Sequence, residues 1–283
     1  MVTGARTSGE DLPAGKGLRK LAEGREAEMF AWEDGRILRL LRDPNGQGSN
    51  ALQAAAMEAA RSRGVRVPAV HGTTTVMGRP GIIMERIEGT DLLTLIGRRP
   101  WVVFGAGRIS GEMHARLHEV AAPESLPPLR TVLEWRIRSV ADLPEGLRQF
   151  ALGALEELPD GDRICHGDFH PANIMMDGQT PVLIDWSNVT RGDPAADVTR
   201  TLLMLRLGEP PPGTSLTLRV MTLVGRRLLI WLYLRSYRRV RSLDMRAVER
   251  WQVPVAAARL AEGIQEETAA VMRLLERAWE RAS

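Results

Sequence analysis

The sequence predicts an α+β protein of two lobes: a small five-stranded antiparallel N-lobe with one helix, residues 1–89, and a larger, mainly helical C-lobe, residues 90–283. Three observations predict it. Short apolar runs separated by turn residues fill the first part of the chain, amphipathic helical patterns fill the rest, and one small hairpin interrupts those helices between Arg163 and Asp185.

Residues 1–15 are polar and Gly-rich and read as disordered, with no apolar h-region of a secretory signal. Three strands follow, Leu18 to Glu23, Ala27 to Trp32 and Arg36 to Leu41. Asp34-Gly35 between the last two is a hairpin signal. The Ala-rich run from Asn50 to Arg63 reads as a helix ending at Gly64. Val67 to His71 and Gly81 to Ile87 are β-branched enough to return to strand.

Beyond Thr90 the period changes. Phe104 to Val120 places Ile109, Met113, Leu117 and Val120 on one helical face, and a second helix is expected from Val132 to Val140. Ile174 to Met176 and Pro181 to Ile184 flank Asp177-Gly178 as a second hairpin. Asp193-Pro194 opens a helix through Leu205, the aspartate as N-cap and the proline at N1. Further helices begin near Thr217 and Ala256.

Charge bounds the function. Of 38 basic residues only Lys16 and Lys20 are lysine; against 35 acids the net charge is +3. That small excess argues against a nucleic-acid binder. A single cysteine, Cys165, excludes an internal disulfide and a multi-cysteine metal site. The longest dense apolar run, Leu228 to Leu234, is too short to span a bilayer. A cytoplasmic protein without membrane attachment is expected, its oligomeric state open.

The chemistry concentrates in Cys165-His166-Gly167-Asp168-Phe169-His170-Pro171-Ala172-Asn173 and, past the second hairpin, Ile184-Asp185-Trp186. Phosphoryl transfer needs a carboxylate near the accepting hydroxyl and hard oxygen ligands for the Mg²⁺ that accompanies a nucleotide. Asp168 and Asn173 on one loop, with Asp185 after a hairpin, have the spacing to bring a base and two metal ligands together. His170 stands two residues after the candidate base, where it can face the transferred group.

These residues resemble the His-Gly-Asp loop and Ile-Asp metal motif of the aminoglycoside phosphotransferase and choline kinase group, small-molecule relatives of the protein kinases. Weaker upstream matches are Gly24 to Phe30 with the phosphate-covering loop, Ile37 to Leu40 with the third strand, and Met84 to Gly89 with the connector between lobes. Arg191 to Asp197 resembles the helix start after the metal aspartate. The resemblance implies a protein-kinase-like fold and a catalytic loop at 164–176 with a metal motif at 182–187. It implies Asp168 as base or hydroxyl-orienting group, Asn173 and Asp185 as Mg²⁺ ligands, and ATP or GTP as co-substrate. Gly24 would cover phosphate, and the Glu85 carbonyl and Ile87 N–H would read the base. The acceptor would be a small hydroxylated molecule, an aminoglycoside or other antibiotic among the possibilities. The family's third-strand lysine is Arg39 here. Its acidic partner on the helix would be Glu58, although Gln53 aligns nearer the expected place.

Other readings stand beside this one. His166-x-Asp168-x-His170 has the alternation of a metal hydrolase site. His114 and His118, at i,i+4, have zinc spacing but lack the metalloprotease glutamate and read instead as packing beneath the loop. Cys165 reads as a buried strand-end residue, and Asp197 as a support for the loop. A catalytically weak, nucleotide-binding relative is the chief alternative. The arginine-dense segment from Arg219 to Arg250 leaves Glu262, Glu266 and Glu267 as the sources of acidity for a polycationic acceptor.

Overall fold

The computed structural model describes residues 18–24, 26–207 and 216–282, with the side chains of Gln47 and residues 216–221 outside the description. The disordered reading of 1–15 falls outside these residues, as does Arg25. The described residues form two compact units, those up to residue 89 with 175–187, and 90–174 with those from 188 onward.

The first unit is built on an antiparallel sheet of β1 (Lys20–Glu23), β2 (Ala27–Trp32), β3 (Arg36–Leu41), β4 (Val70–Val76) and β5 (Arg79–Glu85), in the order β1-β2-β3-β5-β4. Helix α1 (Gln47–Ser62) packs on β4 and β5 and buries Ala56, Met57 and Ala60. Alternation along β3 sends Leu38 and Leu40 to one face, where they cluster with Val76, Phe30, Trp32 and Ile83. Arg39 projects to the other face, opposite Ile82 in register. The β2–β3 turn is the expected one, with Asp34 and Gly35 both at positive φ. The β4–β5 turn was not legible: Met77 and Gly78 both take positive φ, 52° and 70°, so the hairpin turns without an Asn-Gly or Asp-Gly signal. β4 therefore runs to Val76 and β5 starts at Arg79, both displaced from the expected strands.

The second hairpin, Ile174–Asp177 and Thr180–Leu183, forms as expected. Division at residue 89 alone assigns all of it to the helical part, but residues 175–187 group with the first unit. The reason is local. Leu183 N–H donates to the Arg66 carbonyl at 3.0 Å, and Gly89 lies so close to Met176 that a Cβ there would stand 2.1 Å from its carbonyl oxygen.

The second unit contains α2 (Leu92–Arg98), α3 (Val103–Leu117), α4 (Leu129–Ser139), α5 (Glu145–Glu156), α6 (Pro194–Leu207), α7 (Leu216–Val240), α8 (Met245–Arg250), α9 (Gln252–Arg259) and α10 (Gln265–Ala282). Arg163–Cys165 and Thr190–Gly192 pair antiparallel beside them. α2 and α5 were not anticipated. Asp91 caps α2, its carboxylate accepting the Thr94 N–H at 2.8 Å, and α5 begins directly after Pro144. α9 is the central helix, with Val255 to Ala258 buried and α4, α5, α6 and α10 packed around it. α3 and α7 approach closely through small residues: a Cβ on Gly107 would lie 2.5 Å from Leu232 Cβ, and one on Gly111 2.3 Å from the Tyr233 carbonyl oxygen. No described helix is long and apolar enough to cross a membrane.

Candidate active site

In the second unit the strand Arg163–Cys165 delivers the chain into a loop that only glycine permits at its first bend. Gly167 has φ of 74°, and a Cβ there would meet the Asn188 carbonyl oxygen at 2.3 Å. The next residue is Asp168, whose N–H lies 3.3 Å from His166 Nδ1. Pro171 begins a 3₁₀ turn to Asn173, closed by Asn173 N–H to the His170 carbonyl at 2.9 Å.

That turn returns Asn173 to the aspartate. Asn173 Nδ2 donates to the Asp168 carbonyl at 2.8 Å and to Asp168 Oδ2 at 3.0 Å. The amide oxygen, the atom of asparagine that binds metals, is not used in these contacts. His170 Nε2 lies 3.5 Å from Asp168 Oδ2 and 3.3 Å from Asn173 Nδ2. Burial pushes the Asp168 carboxyl upward, but His170, then Arg200 and His166, outweigh it and hold the group down to about 2. Asp168 is thus an ionised acceptor at neutral pH. The loop brings Asp168, His170 and Asn173 together.

Asp197 organises the loop from below. Its Oδ2 accepts the backbone N–H of His166 at 2.6 Å, and its Oδ1 that of Gly167 at 3.0 Å. Oδ2 also receives His114 Nε2 at 3.0 Å and His118 Nε2 at 3.2 Å. Tyr233 and Tyr237 hydroxyls sit 2.8 and 2.7 Å from the two Nδ1 atoms. Hydroxyl donation to Nδ1 places each imidazole proton on Nε2, facing the carboxylate. Burial, then the neighbouring His118, pushes His114 down to about 3 despite the attraction of Asp197. Burial works against the ionised Asp197 too, but the His114 and His118 donors win and hold it well below the usual carboxylate range. Phe169 stacks on His114, ring centroids 3.8 Å apart. The two histidines therefore lie beneath the loop. With Asp197 they form the one cluster of metal-capable geometry found among the described residues. Asp168 and His170 take no part in it.

Cys165 is buried, with Sγ 3.6 Å from the Asp193 carbonyl, and burial raises its thiol well above the ordinary range. Asp193 caps α6 through the Ala195 N–H at 2.9 Å while its other oxygen accepts Trp251 Nε1 at 3.0 Å.

In the first unit the remaining expected residues divide. Gly24 closes the β1–β2 turn, its N–H donating to the Ala27 carbonyl at 2.9 Å. Arg39 is 8% exposed, and its Nη1 is buried with no hydrogen-bond partner. Burial lowers the guanidinium, while Asp185 and then Glu26 favour its charged form. Glu26 is the nearest ion-pair partner at 3.9 Å. Asp185 takes φ of 58°, uncommon for a non-glycine residue, and receives the Ser187 hydroxyl at 2.8 Å. The Glu58 expectation fails: its carboxylate is exposed and paired with Arg61, one turn along the same helix, not with Arg39. Gln53 is the buried one, donating to Ser49 Oγ at 3.0 Å, and Asn50 beside it has both amide atoms buried without a partner. Glu85 ends β5 with its side chain on Arg66 and on the Ala69 N–H at 3.0 Å, leaving Ile87 two residues past the strand.

Sequence and fold comparisons decide the family. A model of the phosphotransferase enzyme family matches residues 17–220. The chain belongs to that family. No curated protein matches it in sequence. Solved structures share its two-lobed, kinase-like fold. A thermostable mutant of the aminoglycoside phosphotransferase APH(4)-Ia has 16% identity and a TM-score of 0.62, over 93% of this chain and 94% of that one. The GDP and kanamycin complex of APH(2")-IIia has 17% identity and a TM-score of 0.59, over 94% of each. A fructosamine-3-kinase described from Haemophilus somnus has 13% identity and a TM-score of 0.62, over 93% and 90%. As a family member, the chain has phosphotransferase relatives among proteins of this fold, and the arrangement around Asp168 can be read in that light.

Proposed function

We propose that this phosphotransferase moves the γ-phosphoryl group of ATP or GTP to a hydroxyl of a small molecule, with Asp168 receiving the hydroxyl hydrogen bond. The observation that carries the reading is the Asp168 carboxylate, kept ionised and clasped by Asn173. Its low proton affinity suits an orienting acceptor rather than a strong base, and phosphoryl transfer through a loose transition state asks for no more until late in the reaction. The acceptor oxygen bonds to the γ-phosphorus as the bond to the bridging oxygen breaks. The nucleoside diphosphate leaves with that electron pair, and the proton passes by way of Asp168 to phosphate oxygen or solvent.

Asn173 and Asp185 offer amide and carboxylate oxygens, the hard donors that suit Mg²⁺, and would hold it. Such an ion supplies neutralisation of charge on the phosphates. Arg39, with its unfilled buried N–H pair, would grip phosphate in place of lysine, and His170 would face the transferred group. Gly24 would allow the backbone to approach phosphate, and the strand end at Glu85 and Ile87 would offer backbone groups to the base.

The deciding measurement is nucleotide consumption with a panel of aminoglycosides, other antibiotics, amino alcohols, sugars and sugar acids. Acceptor-dependent turnover that disappears in Asp168→Ala supports the reading, whereas full activity in that variant overturns it. A second reading, a nucleotide-binding relative of weak activity, is favoured by one observation, the absence of an acidic partner for Arg39 on α1. Tight ATP binding without turnover of any acceptor would select it.

A further inference from the structure

Helices α3 and α7 bury His114, Tyr233 and Tyr237 beneath the Asp168 loop, and their outer sides face solvent. Gly107 meets Leu229 and Leu232, and Gly111 meets Tyr233 and Tyr237, so the two helices run side by side in the same direction. The outer side of α3 begins with Trp101, in the 3₁₀ turn that leads into the helix, and Phe104, 68% and 58% exposed. Because Gly107 stands level with Leu229 and Leu232, these two rings stand level with residues 223–229 of α7. That stretch exposes Leu223 and Val224, and Trp231 follows one turn on, each more than half exposed. An exposed apolar side chain means little by itself, but several grouped at one end of two packed helices mark an interaction surface.

The charges around these groups select the partner. Val224, Arg227, Trp231, Arg235 and Arg238 recur at three- and four-residue steps and form one exposed stripe along α7. Arg235 stands over the Trp231 ring, 5.4 Å from its centroid. The whole of α7 contains no acidic residue. Among the described residues Arg227, Arg235 and Arg238 meet no carboxylate. On α3, Glu112 is committed to the exposed Arg108 at 3.8 Å, and Glu119 lies beyond the far end of the helix. Arg98 and Arg99 add exposed charge just before Trp101. A second copy of the chain would set arginine against arginine, and a nucleic acid would leave Leu223 and Val224 unused. Tryptophan, phenylalanine and aliphatic groups interleaved with arginine suit the boundary of an anionic bilayer, where apolar groups enter the edge of the acyl region and guanidiniums stay among the phosphates. No described helix can cross a membrane, so the contact is with the bilayer surface. This departs from the expectation of no membrane attachment, which rested on the lack of a spanning run.

We propose that the outer face of α3 and α7 lies on the surface of a membrane containing anionic phospholipid, with Trp101, Phe104 and Trp231 entering its interface. The full chain is mixed with vesicles of phosphatidylcholine alone, or of phosphatidylcholine with about one-third phosphatidylglycerol. Binding is read by sedimentation and by tryptophan fluorescence. The anionic vesicles should retain at least about tenfold more protein, with a blue-shifted emission, and raised salt should weaken the binding. Trp101→Ser combined with Trp231→Ser should remove the shift and most of the binding, and Arg235→Glu combined with Arg238→Glu should remove the binding. Neither pair touches the phosphotransfer site, so nucleotide affinity should be unchanged; circular dichroism checks that both fold, and the comparison of vesicles needs no variant. Arg273→Glu combined with Arg277→Glu, at exposed positions of α10, alters the net charge equally and should leave vesicle binding intact. Binding to neither vesicle, equal binding to both, or an equal loss in the α10 variant would each overturn the proposal. Tighter, tryptophan-dependent binding of polyuridylate would overturn it in favour of a nucleic acid. A dimer in analytical ultracentrifugation that the tryptophan pair dissolves would overturn it in favour of a second copy.

Discussion

Asp197 Oδ2 stands 2.6 Å from the backbone nitrogen of His166, and the other oxygen of that carboxylate holds Gly167. A buried acid on α6 thus fixes the two residues that immediately precede Asp168. Asp197→Asn replaces an acceptor with a donor against His114 or a loop amide and leaves buried groups unpaired. A loss of about 3–5 kcal/mol is expected, read from denaturant unfolding, with kcat falling more than nucleotide affinity.

His114, beneath the loop, gives the protein an early acid limb. His114 is held down to about 3 when folded against an ordinary value of 6.5. Between those values the unfolded chain binds more protons, so stability is complete above pH 6.5 and declines as pH falls below it. One such group gives a slope of about 1.4 kcal/mol per pH unit. The Tm of wild type should decline from pH 6.5 toward 4.5, and His114→Gln should flatten that slope even if its Tm is lower throughout. A parallel profile in the variant would contradict the assignment.

Asp168 should leave no ordinary carboxylate limb in the rate profile. Because the group is held down to about 2, kcat/KM should show no inflection near pH 4 from this residue in the range where the protein stays folded. Asp168→Ala is expected to lower kcat by at least about a thousandfold, the upper range for loss of a positioned acid–base group and its charge, with nucleotide Kd within a few-fold.

Arg39 and Glu58 separate in a pair of variants. Arg39→Met should weaken nucleotide binding tenfold or more, and Arg39→Lys severalfold, since lysine keeps the charge but loses the planar fork. Glu58→Gln should leave nucleotide affinity within twofold, because its carboxylate faces solvent with Arg61. Equal losses in Arg39→Met and Glu58→Gln would restore the expected pair.

Gly111→Ala tests the α3–α7 contact. The added methyl would meet the Tyr233 carbonyl oxygen at 2.3 Å and the Tyr237 nitrogen at 2.8 Å, backbone atoms that cannot swing aside. Separation of the helices should cost about 1–3 kcal/mol, measured as a lowered denaturation midpoint. Gly105→Ala on the same helix, where a Cβ meets nothing within 4 Å, is the control and should be neutral or stabilising.

The parts legible in the sequence were those written in local chemistry. Asp34-Gly35, Asp177-Gly178, Asp193-Pro194 and the Asp168–Asn173 spacing each specify a short stretch of backbone, and each formed. What was hidden depends on partners distant in the chain. Glu58 sits at a sensible position in α1, but only the rotation of that helix reveals that it points outward while Gln53 is buried. Arg200, paired with Glu262 and bonded to the Gly167 carbonyl, gave one signal that could have been used: it lies within a helix buried on every side from Ala195 to Leu203, where an unpartnered cation would be untenable. The Met77-Gly78 turn gave none, since methionine seldom accepts positive φ.

Cys165, the sole thiol, is sealed at the strand end three residues before Asp168. A thiol reagent can reach it only when that strand and the loop beyond come apart. Its labelling rate in the native protein therefore measures how often the loop opens, without any probe being introduced. Each variant above can be ranked on that scale, and a bound nucleotide or acceptor that braces the loop would register as slower modification before its chemistry is known.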